Sequence, residues 1–235
     1  TSSGRYLSRS VILATGGASW PATGSEGDGY ALGAALGHIL IRPRPALVPL
    51  VVREQKLAGS MQGVSLRNVR ATAFQETASR VDADLTPVCD SGRGEKKKPR
   101  PPVIESRFGE MIFTHFGLGG PIILLISLAV VDALEKGPVS ILIDLKPAVT
   151  KDQLHKRLMT DLDRYGKRRI TSILKEYLPS KMIEPVTKLA GLDPAGADTG
   201  RHILLEGLVE GAALAAVERQ HRAILRHAAE RAVDH

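Results

Sequence analysis

The sequence has a single cysteine, Cys89, in 235 residues. That excludes a disulfide framework and a thiolate metal cluster. Aromatic residues make up 4% of the chain, which argues against a surface built from stacked rings. The longest apolar run, Leu118 to Val131, is too short for a bilayer and contains Gly119, Gly120 and Pro121. The opening residues Thr1-Ser-Ser-Gly-Arg-Tyr6 lack the basic and apolar regions of a secretory signal. A cytoplasmic protein that makes no use of a membrane is expected. No Gly-Lys-Ser/Thr phosphate loop occurs. Gly17-Ala-Ser19 runs into Trp20-Pro21 rather than forming a nucleophile elbow. His221 and His227 are too far apart for an i,i+4 metal pair, and no metal site is expected.

The residues present describe an ordinary globular chain, 43% hydrophobic and 24% charged. It is long enough to bury a real core in one or two domains. Its net charge is +7, which raises the question of an anionic partner. Much of that charge is local. Residues 93–100 carry five cations against Glu95, a net of +4, beside Pro99, Pro101 and Pro102. A solvated, flexible insertion is preferred there over a nucleic-acid patch.

Local patterning places the elements. Residues 10–15 form a short apolar run that reads as a buried strand. A helix is expected over 28–36, with Asp28 able to cap it and Gly37 able to end it. Ala46–Val52, punctuated by prolines, reads as an edge or crossover strand. Val64, Leu66, Val69, Ala71 and Ala73 suggest strands with a bulge between them. Residues 76–106 read as a long flexible loop. Pro121 suits the first position of a helix, and Val139–Leu145 reads as a strand. Thr150 and Gln153 make a capping box ahead of Leu154, Leu158 and Leu162. A second helix is expected over 170–178, stopping at Pro179. The alanine-rich tail from His202 to Val233 reads as helical.

Two constellations carry chemistry. The first is Ala14-Thr15-Gly16-Gly17 with Gly27-Asp28-Gly29. A strand ending in glycines ahead of a helix start lets backbone N–H groups approach a phosphate or a polar ring. Asp28 could cap the helix or bond a ribityl or ribose hydroxyl. A tight structural turn is the plainer reading of the glycines alone. The second is Phe113-Thr114-His115-Phe116-Gly117 leading into Gly119-Gly120-Pro121. N–H groups after Pro121 could hold an anion. His115 could donate a proton to a reduced substrate, or be hydrogen-bonded to backbone in a strand-to-helix connection. Trp20 could lie near a bound ring, with packing the preferred reading.

Taken whole, Val11–Tyr30, Gly37-His38, Pro45-Ala-Leu-Val-Pro-Leu50, Gly109–Pro121 and Ile143-Asp-Leu-Lys-Pro147 resemble the BaiN-like (YhiN-type) FAD-dependent oxidoreductases. The resemblance covers residues 10–50 and 109–147 and extends toward 190. Gly119 stands where that family usually has serine. The family's N-terminal Gly-x-Gly-x-x-Gly and its C-terminal flavin segment are not found here. The chain therefore reads as an internal piece that binds FAD weakly or not at all without flanking segments of the same polypeptide.

The expected class is α+β: a partial nucleotide-binding α/β segment (1–45), a β-rich inserted domain (46–149) and a helical part of that domain (150–235). The resemblance implies FAD as cofactor, NAD(P)H as a possible reductant and a small-molecule substrate. It implies hydride transfer to or from a carbon–carbon double bond. Ala14, Thr15, Gly16, Gly17, Gly27, Asp28 and Gly29 would lie near the flavin and His115 near the substrate. Two rivals stand beside it. One is a basic RNA-binding module, or a flavoenzyme reducing a pyrimidine in RNA. The other is a truncated product without activity.

Overall fold

The computed structural model describes residues 4–85, 100–165, 170–189 and 212–217. The chain divides into two units, residues 1–44 with 220–235, and residues 45–219.

In the first unit the described segment is 4–44. It holds a 3-10 turn, Pro21–Thr23, and helix α1, Asp28–Ala35. The helix start differs from the expected cap. Gly27, at φ 90°, is the N-cap, and Asp28 is the first helical residue with no capping bond from its side chain. The helix ends as expected. Gly37 adopts φ 84° and its N–H donates to Ala34 O at 2.9 Å. The strand expected over 10–15 does not form. Ile12 is 89% exposed and Ile39 95% exposed. A run apolar on both faces needs neighbours on both sides, and an isolated strand has no ladder to close its backbone hydrogen bonds.

The second unit is built on a six-stranded antiparallel sheet. Its strands are β1 (Leu50–Val51), β2 (Ser65–Phe74), β3 (Val103–Phe113), β4 (Gly117–Gly119), β5 (Val139–Asp144) and β6 (Ala212–Val217). Their order across the sheet is β1-β4-β3-β2-β5-β6. The proline-flanked segment before residue 52 does supply an edge strand, though of two residues. The expected bulge lies between Leu66 and Val69 in the β2–β3 ladder, with Asn68 at φ 55°.

Helix α4 (Pro121–Leu134) covers one face of this sheet, packing on β3, β2, β4 and β5. Ile122, Ile123, Ile126, Val130 and Ala133 form its buried stripe. They meet Ala71, Ala73, Ile141 and Ile143 in one apolar cluster. Each such isoleucine contributes about 1.5–3 kcal/mol by leaving water. The buried hydroxyl of Ser127 donates to Leu124 O and accepts from Val48 N, which ties α4 to the segment entering β1.

Helix α2 (Gln55–Ser60) follows β1. Helices α5 (Lys151–Tyr165), α6 (Ile170–Leu174) and α7 (Ser180–Leu189) follow the last turn after β5. The capping box holds: Gln153 N–H donates to Thr150 Oγ1, and Thr150 N–H donates to Gln153 Oε1. Helix α7 carries Pro185 within it. The buried Thr187 hydroxyl donates to Ile183 O and Glu184 O in the same stretch.

Two expectations are corrected. The window 76–106 is not a loop throughout, because helix α3 (Ala78–Leu85) and the start of β3 lie inside it. Its prolines and glycines fall outside 78–85, and Val81 is buried there. Residues 86–99, with Lys96–Lys98, lie outside the described residues. The alanine-rich tail is not helical at 212–217. That stretch is β6, paired with β5 from Val139↔Val217 to Asp144↔Ala212. An open row of β5 backbone groups overrides alanine's helix preference. The rest of the expected tail helix lies outside the described residues. No described helix is long and apolar enough to cross a membrane.

Candidate functional site

The first constellation is brought together within its own unit. The turn at Thr15–Gly17 lies against the start of α1. A Cβ built on Gly29 would meet Thr15 Oγ1 at 2.3 Å, and one on Gly16 would meet Ser25 Oγ at 2.2 Å. Gly16 also adopts φ 78°, a left-handed conformation that suits glycine. Gly17 faces Tyr30 Oη, and the buried Gly27 packs on Ala18 and the Tyr30 ring. Ala14, Thr15, Gly16 and Asp28 are exposed.

This arrangement bears on the flavin that the resemblance implies. The space beside Gly16, Gly17, Gly27 and Gly29 is filled by this chain's own Ser25, Tyr30, Ala18 and Thr15. Those glycines explain a tight turn-to-helix contact rather than an open cradle. Residues 14–16 are exposed, as is Asp28 at the start of the eight-residue α1.

The second constellation lies in the other unit, in the tight connection between β3 and β4. Thr114 closes it: Thr114 N–H donates to Gly117 O, and Gly117 N–H donates to Thr114 Oγ1. Val52 N–H donates to Phe116 O at 3.1 Å. The carbonyl of His115 passes so close to Gly59 that a Cβ there would sit 3.3 Å from it. The loop backbone is thus fastened on both sides. The imidazole is exposed and meets the Phe116 ring edge-on, with centroids 4.8 Å apart. Among the described residues its nitrogens have no hydrogen-bond partner. The backbone-bonded imidazole allowed by the sequence is not what the structure holds.

The glycines around it serve packing. A Cβ on Gly117 would lie 2.1 Å from Leu50 O, and one on Gly120 would lie 2.8 Å from Met111 Cα. Gly120 also adopts φ 88°. They let β1 and the start of α4 close on the sheet. The anion site expected there is shut, because Ile122 and Ile123, whose N–H groups would form it, are buried. Gly119 differs: a Cβ would make only ordinary contacts with Thr114 and Ile112.

One polar cluster was missed in the sequence. The Tyr177 hydroxyl donates to Asp161 Oδ2, and the Arg157 guanidinium lies 5.5 Å from the centre of the Tyr177 ring. Burial and then the Asp161 bond and charge push the tyrosine up to about 12. Arg157 and Asp161 stand at i,i+4 on α5, a visible pairing. Nothing local links them to a tyrosine sixteen residues on.

Comparison with known proteins places this second unit. Residues 100–202 match the model of the HI0933-like protein barrel and H2TH domain. Residues 100–202 are thus similar to the HI0933-like barrel and H2TH domain. The flavoprotein resemblance and the α+β class read from the sequence are both borne out. One relative is the 3-dehydro-bile acid delta(4,6)-reductase of Clostridium scindens. It is 28% identical over 187 residues, 79% of this chain and 39% of the relative. Another is the ribosomal RNA dihydrouridine synthase of Haemophilus influenzae, 26% identical over 181 residues, 77% of this chain and 36% of the relative. The chain thus spans under two fifths of the length of each. The matched domain contains His115 and the Tyr177 cluster but not residues 14–29.

Proposed function

We propose that this chain forms part of an FAD-dependent oxidoreductase of the BaiN-like kind that reduces a carbon–carbon double bond. The observation that carries the reading is the exposed imidazole of His115, without a hydrogen-bond partner among the described residues and held on a fastened loop inside the family-matched domain. The names of both relatives support it, since a delta(4,6)-reductase and a dihydrouridine synthase each describe added hydrogen.

A bound flavin would supply a hydride to one carbon of the double bond, drawn ultimately from NAD(P)H. The other carbon needs a proton, which His115 would donate and regain from solvent. Backbone groups of the exposed Ala14, Thr15 and Gly16, with the helix start at Asp28, would hold part of the cofactor. The second unit would shape the substrate pocket.

A test follows in a flavin-loaded polypeptide of the relatives' length that carries this chain. The flavin is reduced anaerobically and its reoxidation by an unsaturated substrate is followed in visible absorbance. His115→Ala should slow that step by roughly 10²-fold or more and leave flavin binding unchanged. Equal rates would remove His115 from the reaction.

A second reading is that the double bond belongs to a pyrimidine in RNA. The name of the Haemophilus relative and the net charge of +7 favour it.

A further inference from the structure

The face of the sheet turned away from α4 carries a feature that neither the flavin nor His115 uses. Thr72 and Ser106 stand opposite each other in the β2–β3 ladder, and their hydroxyls are 2.8 Å apart. They therefore project on the same face. Side chains alternate along a strand, so Arg70 and Phe108, two residues along and also paired, share that face. Ala71, Ala73, Ile141 and Ile143 take the other face into the core. Segment 76–85 covers part of the outer face: Ser140 donates to Glu76 O, and α3 packs on β5 and β6. The cover does not reach Phe108.

Phe108 is 56% exposed, while Phe113 is buried and Phe74 and Phe116 are half-buried. A phenyl ring mid-strand with one side in water wastes its apolar area unless something stacks on it. Arg70, directly across the ladder, is exposed and has no ion pair among the described residues. The β-bulge beside it adds Arg67, whose contact with Glu110 is a loose 3.8 Å. A ring, a guanidinium with no ion pair among the described residues and a hydroxyl pair in one row can serve a base, its phosphate and its ribose, with Asp144 opposite Arg70 on the β5 side.

We propose that Phe108 and Arg70, flanked by Thr72 and Ser106, form a platform for one unstacked base of single-stranded RNA. The base lies on Phe108, the phosphate meets Arg70, and the hydroxyl pair meets the ribose 2′-OH. One ring suffices for one base, so the chain's low aromatic content is no obstacle. The platform rests on the RNA reading above and gives it a location apart from Lys96–Lys98.

The test is fluorescence anisotropy of a labelled 12-nucleotide oligouridylate titrated with the full 235-residue chain, at two salt concentrations. Phe108→Ala should weaken binding about tenfold, and Phe108→Trp should retain it. Arg70→Gln should weaken binding and flatten the salt dependence by about one unit of slope. Duplex RNA should bind more weakly and be indifferent to Phe108→Ala. Circular dichroism of each variant confirms the fold, and Arg70→Gln carries the test if Phe108→Ala unfolds. Unchanged binding by both variants, or no binding at low salt, overturns the platform. Because no flavin is involved, that failure leaves the oxidoreductase reading standing. Failure of flavin reoxidation, conversely, leaves the platform untouched.

Discussion

Gly119 and Gly120 are neighbours under different constraints, and single substitutions separate them. Gly120 is held in left-handed backbone with its α-carbon against Met111. Gly120→Ala should destabilise the fold by about 2 kcal/mol or more in urea melts. Gly119→Ser, the residue usual in the family, meets only ordinary contacts and should stay within about 0.5 kcal/mol of wild type. The reverse order would show that the sheet-to-helix junction is misread. Tyr177 gives a prediction in pH. Its folded form holds its proton up to about 12, against an ordinary 10. The folded state thus binds that proton more tightly than the unfolded state. The stability this contributes is complete below pH 10 and is lost as pH rises from 10 to 12. In an alkaline absorbance titration at 295 nm, Tyr177→Phe should remove a step near pH 12. Survival of that step would place the shifted proton elsewhere. The glycine motifs were visible in the sequence because they are contiguous. The Tyr177 cluster was not, because its partners are sixteen residues apart and meet only where the turn after α6 returns to α5.

Elements with local punctuation were legible. The capping box at Thr150 and Gln153, the proline at the start of α4 and the bulge in β2 all appear where the pattern placed them. Thr150→Ala removes one of the two reciprocal bonds and should lower stability by about 1 kcal/mol, read from the shift of the melting curve. No shift would mean that the tertiary packing of Leu158 alone sets the start of α5. Elements decided by partners were not legible. The run at 10–15 has the composition of a strand, yet no strand lies beside it among the described residues. Residues 212–217 have the composition of a helix, yet they complete the ladder on β5. Helix α7 was hidden by Pro185, which normally ends a helix.

The scale of the whole molecule joins these observations to function. The first unit leaves Val11, Ile12, Ile39 and Ile41 in water, the pattern of a strand-forming segment whose sheet neighbours are not among the described residues. The second unit has its own apolar core and carries the family match. The central proposal is that the chain works as part of a flavoprotein oxidoreductase. FAD titration, followed by flavin fluorescence and visible absorbance, tests it most directly. It should be made on the 235-residue chain and on a polypeptide of the relatives' length that contains it. The account predicts weak or undetectable binding by the shorter chain and saturable binding with a shifted flavin spectrum by the longer one. Failure of both to bind would contradict the flavoprotein assignment.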